Sequence, residues 1–170
     1  MFKPQKMSFI PVNGTILTSL IIMAKTSEEE QKLLEKGWIK TWLLFEVVAV
    51  KKEVAESALK EHIGKLKKEG ALKVIDENFT STDPVEPAEQ FKAHGITETW
   101  SQIAEIVVCA KDFEALMNMV VTYAPTAVEI LAPSKLTMDM RSAQNALATV
   151  ADMIHKFAAA GIGGMLISGK

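Results

Sequence analysis

The sequence predicts an α+β fold of the ferredoxin-like split βαβ type, a sandwich in which two helices pack on one face of an antiparallel sheet. Two apolar runs, residues 41–50 and 100–110, are rich in β-branched and aromatic residues, as buried strands are. Each run is followed by an amphipathic helical pattern and then by another strand pattern. The first and third strands of this fold are central neighbours, which suits the two most apolar runs.

The other elements follow in order along the chain. A capped, acidic helix start at 26–30 precedes the first strand, and Gly37 ends that helix. Residues 80–99 carry two prolines in a short space and predict a long loop with one helical turn. The remaining predictions are a helix at 51–69, a polar strand at 71–79, a helix at 113–124 capped by Asp112, a strand at 126–131, a short strand at 135–138, a long C-terminal helix capped by Asp139, and a short terminal strand at 164–168.

Length and composition suit one globular domain. The chain has 170 residues, 48% hydrophobic and 24% charged, and a single domain commonly takes about 100–200 residues. Its 19 basic and 21 acidic residues give a net charge of -2 at pH 7, so no overall field attracts a polyanion or an anionic membrane surface. The only cysteine, Cys109, rules out an intrachain disulfide and is typical of a reducing compartment. We therefore expect a cytoplasmic protein.

The first 23 residues are set apart from the rest. Two lysines precede an apolar run at 15–23, as in an export signal, but Pro11 and Gly14 shorten the apolar part and no A-x-A cleavage site follows. We interpret residues 1–23 as an N-terminal extension, flexible or a misassigned start, and residues 24–170 as one domain. A structured strand and an export signal are the alternatives for 1–23. No other segment is long and apolar enough to span a membrane.

Three glutamates, Glu46, Glu105 and Glu129, each lie alone inside a predicted strand. Because side chains alternate across a strand, all three can point away from the two packing helices, beside Trp42. They would then form an acidic row across neighbouring strands. Like charges placed opposite one another destabilise a sheet, so such a row favours a cation, an amine-bearing ligand or a basic segment of another protein.

A plainer interpretation of the same glutamates is structural. Each glutamate then faces water or pairs with a basic residue, for which the candidates are Lys73, Lys135 and Arg141.

The last helix carries an apolar seam with alternating spacings of three and four residues. Its members are Met140, Ala143, Leu147, Val150, Ile154 and Phe157. We expect the seam to cover the open face of the sheet, with a homo-oligomer contact elsewhere. The alternative is that the seam packs on its copy in another subunit.

Other motifs carry no catalytic or metal signature. His62, His94 and His155 form no H-x-x-x-H or H-E-x-x-H pair, and no G-x-S-x-G elbow occurs. The C-terminal run GMLISGK lacks the Ser or Thr that follows the lysine of a phosphate-binding loop. We therefore predict no catalytic residue, no metal and no cofactor.

These observations favour a non-catalytic module that binds a small ligand or a protein, or regulates one, and that self-associates, with Glu46, Glu105, Glu129 and Trp42 as its ligand-binding residues. One alternative is a small enzyme that uses the glutamate row as acid and base. A further alternative is nucleic-acid binding through the lysine-rich helix at 51–69, which its interleaved glutamates and the lack of an aromatic platform disfavour. The sequence does not decide whether any reaction is catalysed.

Overall fold

The structure, a computed structural model, describes residues 27–160. This part of the chain has an α+β fold with an open antiparallel sheet. Its elements, in chain order, are α1 (Glu28–Glu35), β1 (Ile39–Ala49), α2 (Lys52–Leu66), β2 (Leu72–Phe79), β3 (Asp83–Val85), α3 (Glu89–Lys92), β4 (Thr99–Ala110), α4 (Phe113–Tyr123), β5 (Ala127–Ala132) and α5 (Met140–Ala159).

The sheet has the strand order β2-β4-β1-β5, and β3 pairs with the beginning of β4. Each of these pairings is antiparallel. β1 and β4 contain the two most apolar runs of the sequence, and they pair from Ile39 opposite Ala110 to Ala49 opposite Trp100. The prediction that these two strands are spatial neighbours is therefore confirmed.

One face of the sheet forms the core with α2 and α4. Alternate residues of β1 and β4 point to this face and are buried with the apolar sides of the two helices. Burial of a large aliphatic side chain stabilises the fold by roughly 1.5–3 kcal/mol, so this layer dominates the stability. Its members include Ile39, Leu43, Phe45, Leu59, Ile63, Leu66, Ile106, Val108, Leu116 and Met119.

Three helices begin at the caps that the sequence predicts. The side chains of Ser27, Asp112 and Asp139 each accept a hydrogen bond from the backbone N–H three residues later, at 3.1, 2.8 and 2.7 Å. At its other end α1 stops before Gly37, whose φ of 84° lets the chain turn into β1.

α1 lies on the face of the sheet opposite α2 and α4. Its Glu30 is only 3% exposed, and the carboxylate lies 2.5 Å from Nζ of Lys40 on β1. Lys40 is directly opposite Cys109 of β4, which is fully buried. α1 therefore covers the end of this second sheet face that contains Lys40 and Cys109.

The predicted strand at 135–138 is wrong. These residues form no strand, and Leu136 and Met138 line a groove of about 280 Å³ with Ile39 of β1 and Asp112. The prediction for 80–99 is partly right, because its one helical turn is present as α3, but the rest of the segment is not all loop. Its short strand β3 pairs with β4, and the Thr99 hydroxyl donates to the carbonyl of Val85 at 3.0 Å.

α5 does not cover the open sheet face as expected. It packs beside α4, where Asn145 Nδ2 donates to Glu114 Oε2 at 3.0 Å and Ala146 is buried. Residues 1–23 and 164–168 lie outside the described residues, and the predictions for them stay predictions. Within 27–160 no helix combines the length and the hydropathy that a membrane crossing requires.

Candidate functional site

The strand register places the predicted site residues on one face of the sheet. Leu44 is directly opposite Glu105, and Trp42 is directly opposite Glu129. Opposed residues in antiparallel strands project from the same face, and Glu46 follows Leu44 by two positions, which keeps it on that face. The geometric condition for an acidic row is therefore met. The role of these residues in binding stays a prediction.

The face is half covered. At the end under α1, Val107 is 5% exposed and Cys109 is fully buried. Further along β1 and away from α1, Glu46 is exposed and Val48 is 41% exposed. Trp42 lies between these regions, half-buried, and its indole N–H meets no acceptor among residues 27–160. We call the part of this face that carries Trp42, Leu44, Glu46, Glu105 and Glu129 the carboxylate surface, in which Glu46 and Glu129 are exposed and the other three side chains are partly buried.

Two of the carboxylates accept hydrogen bonds from neutral side chains. Glu46 Oε1 accepts from the Ser101 hydroxyl at 2.7 Å, and Glu105 Oε2 accepts from Asn78 Nδ2 at 3.4 Å. Ser101 belongs to β4 and Asn78 to β2, so the two carboxylates lean toward different neighbours.

No lysine or arginine of the described range 27–160 forms an ion pair with this surface. Lys73, a candidate partner from the sequence, pairs instead with Glu29 at 3.0 Å. Within residues 27–160, none of the three glutamates forms an ion pair with a lysine or an arginine. The pairing interpretation is therefore wrong for this part of the chain. Exposure to water remains, since Glu46 and Glu129 are both exposed.

The strand register spaces the three glutamates unequally. Glu46 and Glu105 are diagonal neighbours on β1 and β4, in positions roughly 7–8 Å apart. Glu105 and Glu129 lie on opposite sides of β1, and two strand spacings separate such residues by roughly 10 Å. In the described range there is also no group of three His, Cys, Asp or Glu side chains arranged to hold a metal ion.

The family model of the MJ0538 family matches residues 40–164. This chain belongs to the MJ0538 family. No curated protein and no solved structure matches it. The region matched to the MJ0538 family contains the whole carboxylate surface and all of α5.

His62 of α2 and Tyr123 of α4 contact each other on the helix-covered side of the sheet. They have a structural role in this member of the MJ0538 family. His62 Nε2 lies 2.9 Å from the carbonyl oxygen of Tyr123, and its ring contacts Phe45 edge to face. The Tyr123 hydroxyl donates to Glu69 at 2.7 Å, and burial raises the pKa of Tyr123 to about 12. These contacts join α2 to α4.

Some of the positive charge in and beside the lysine-rich helix is paired with carboxylates. Lys65 pairs with Glu61 at 2.8 Å, Lys67 with Glu77 at 2.6 Å, and Lys73 with Glu29. The hydrogen bond and charge of Lys65 also lower the pKa of Glu61. Lys52 lies over the ring of Trp100, with Nζ 5.9 Å from the ring centroid. Several lysines are thus already engaged within the protein.

A second exposed surface lies on α5, whose apolar seam was expected to cover the sheet. Met140, Leu147 and Ile154 are 82%, 72% and 58% exposed. With the exposed Ala151 they form what we call the outer stripe of α5. The seven-residue spacing was the signal for this surface in the sequence. The seam is wide enough to present one side to α4 and another to solvent, which spacing alone does not reveal.

Proposed function

We propose that this member of the MJ0538 family is a non-catalytic binding module of ferredoxin-like topology that recognises a basic protein segment on its carboxylate surface and self-associates elsewhere. The strand order β2-β4-β1-β5, with α2 and α4 on the same face, supports the topology, because the split βαβ arrangement puts its first and third strands at the centre and its two helices on one side.

A single observation carries the binding proposal. Three carboxylates from separate strands share an uncovered sheet face, and no lysine or arginine of the described chain neutralises them. Apolar side chains lie among them, since Leu44 and Val48 alternate with Glu46 on the same face. An incoming segment with lysine or arginine side chains would gain charge-assisted hydrogen bonds from the glutamates and bury apolar area on β1.

The enzyme alternative receives less support. General acid–base catalysis needs two groups of different proton affinity held close to one substrate atom. Here Glu46 and Glu129 are exposed, and Glu46 and Glu105 turn to different neighbours. Four surface grooves, of about 170 to 370 Å³, are lined by other residues. Solvated and divergent carboxylates are typical of a recognition surface.

The test uses a fluorescently labelled lysine-rich peptide as the probe and measures its anisotropy with the purified full chain. We expect binding that weakens as salt is raised, because exposed charge pairs are screened. A triple variant with Glu46→Gln, Glu105→Gln and Glu129→Gln should bind about tenfold more weakly, since three exposed charge contacts are worth roughly 0.2–1 kcal/mol each.

A matched control separates site recognition from net charge. Glu35, Glu53 and Glu98 are exposed glutamates away from the carboxylate surface, and changing all three to Gln removes the same total charge. This control should bind the peptide within about twofold of the wild type. Equal losses in the two triple variants, or no binding by the wild type, would refute the carboxylate surface as the site.

A further inference from the structure

The outer stripe of α5 is an apolar surface without charge. Seven residues make almost two helical turns, so Met140, Leu147 and Ile154 stand in one line along the helix. At 100° per residue, the charged side chains Arg141 and Asp152 lie to one side of this line. Gln144 and His155 lie between the stripe and these charges on that side. The stripe is therefore an apolar ridge with polar neighbours on one flank and charged residues beyond them.

α4 is too short to cover α5. With 11 and 20 residues, the two helices are about 16 and 30 Å long. Part of α5 therefore extends past α4, and Phe157 near its C-terminal end is 47% exposed. At the other end, Leu136 and Met138 just before the helix are 37% and 41% exposed. Apolar surface thus runs along the full length of α5.

We propose that the outer stripe of α5 pairs with the same stripe of a second copy, antiparallel, about a two-fold axis at Leu147. This inference rests on the proposed self-association and names its surface. A two-fold interface uses one patch twice, so the patch must complement itself. Reversal about Leu147 places Met140 against the partner's Ile154, and it places Phe157 against the partner's segment 136–138.

The charges on the flank favour the antiparallel arrangement. In an antiparallel two-fold pair the charged flanks of both copies lie on the same side of the pair, with Arg141 of one copy level with Asp152 of the other. In a parallel two-fold pair the charged flanks lie on opposite sides, so Arg141 and Asp152 are not near each other. Opposite charges on one side of the pair favour the antiparallel register.

The size of the stripe suits a weak dimer. A large aliphatic side chain buries on the order of 100 Å² of apolar surface. The six exposed side chains from Leu136 to Phe157 therefore supply roughly 300–400 Å² of apolar area per protomer. Interfaces at the low end of specific association bury about 600 Å² per partner, a little over half of it apolar. We therefore expect dimers at micromolar concentrations.

The experiment measures molar mass by sedimentation equilibrium from about 5 to about 500 μM of the full chain. The wild type should approach twice the mass of one chain as concentration rises. Leu147→Glu places two carboxylates on the proposed axis and should raise the dissociation constant at least about tenfold. Ile154→Glu is the second variant. Val54→Glu is the matched control, because Val54 is a 49% exposed apolar residue on α2, and it should dimerise like the wild type.

The orientation is tested by oxidative crosslinking, with Cys109 fully buried and thus giving little background. Leu147→Cys should crosslink to its own copy, and Met140→Cys alone should not, because it faces the partner's Ile154. Equal crosslinking by the two variants would refute the antiparallel arrangement.

A wild type that stays monomeric refutes self-association itself. A dimer that Leu147→Glu leaves intact refutes only the α5 interface, and both results leave peptide binding to be judged by its own assay.

Discussion

The ion pair between Glu30 and Lys40 holds α1 on the sheet at the covered end of the face. The two side chains are 4% and 15% exposed, so neither charge is well hydrated if the other is removed. We expect Lys40→Met to lower the free energy of unfolding by about 3–5 kcal/mol, because it leaves Glu30 buried and unpaired. Urea unfolding measures this loss. The control is Lys36→Met, because Lys36 is an exposed lysine at the C-cap of α1. This variant should change stability by less than about 0.5 kcal/mol.

The same contact controls access to Cys109. Burial, reinforced by the charge of Glu30, raises the pKa of the Cys109 thiol to about 11, so the reactive thiolate is scarce at neutral pH. Lys40→Met should therefore speed thiol labelling at pH 8 by loosening α1. The double variant Glu30→Gln, Lys40→Met should recover part of the stability, since it removes both charges. A double variant as unstable as Lys40→Met would contradict this account of the ion pair.

The positions of the three glutamates on the sheet were predictable from the sequence, but their hydrogen-bond partners were not. Alternation along β1 predicted that Glu46 would share a face with Trp42, and the register confirms that placement. The hydrogen bond from Ser101 to Glu46 and the pairing of Lys73 with Glu29 were not predictable. Both depend on contacts between distant parts of the chain, which no local pattern contains.

Among the elements, α5 shows how a helix can be predicted well and placed wrongly. The apolar spacing and the Asp139 cap predicted its existence and its beginning. The spacing does not indicate which apolar surface the helix packs against, and in the structure α5 packs against α4 and not against the sheet. The spacing also concealed that the apolar sector is wider than one partner needs.

The N-cap of α5 gives the fold a dependence on pH. The backbone N–H of Ser142 donates to Asp139 and lowers the pKa of that carboxyl below its ordinary value. The stabilisation by Asp139 is therefore complete above the unfolded pKa of about 3.9 and is lost as pH falls through the lower folded pKa. Asp139→Asn keeps a capping acceptor that does not titrate. In urea unfolding, wild type should exceed this variant in stability at pH 6, and the difference should shrink toward pH 2. A difference that is constant over this range would contradict the role of the charged cap.

For the whole molecule, the central pairing of β1 with β4 was predictable because strands buried near the centre of a sheet are the most apolar. The strand β3 was not, because its three residues, which include Pro84, carry no strand pattern of their own. Its pairing depends on how the 80–99 segment docks, through Thr82 to Glu56 at 2.9 Å and through Thr99 to Val85. Prediction from sequence thus succeeded for the central strands, where burial decides, and failed for β3, where long-range polar contacts decide.

The distribution of charge over the molecule argues against nucleic acid as the partner. Polyanion affinity grows with the number of phosphates that free lysines and arginines neutralise, and here Lys65, Lys67 and Lys73 are engaged by carboxylates in a chain of net charge -2. We therefore expect the protein to pass through a heparin column at about 150 mM salt without retention. Glu61→Gln with Glu77→Gln should release Lys65 and Lys67 and delay elution at low salt, whereas Glu35→Gln with Glu98→Gln, of equal net charge, should delay it less. Strong retention of the wild type that falls steeply with salt would contradict this expectation and restore the helix α2 as a nucleic-acid surface.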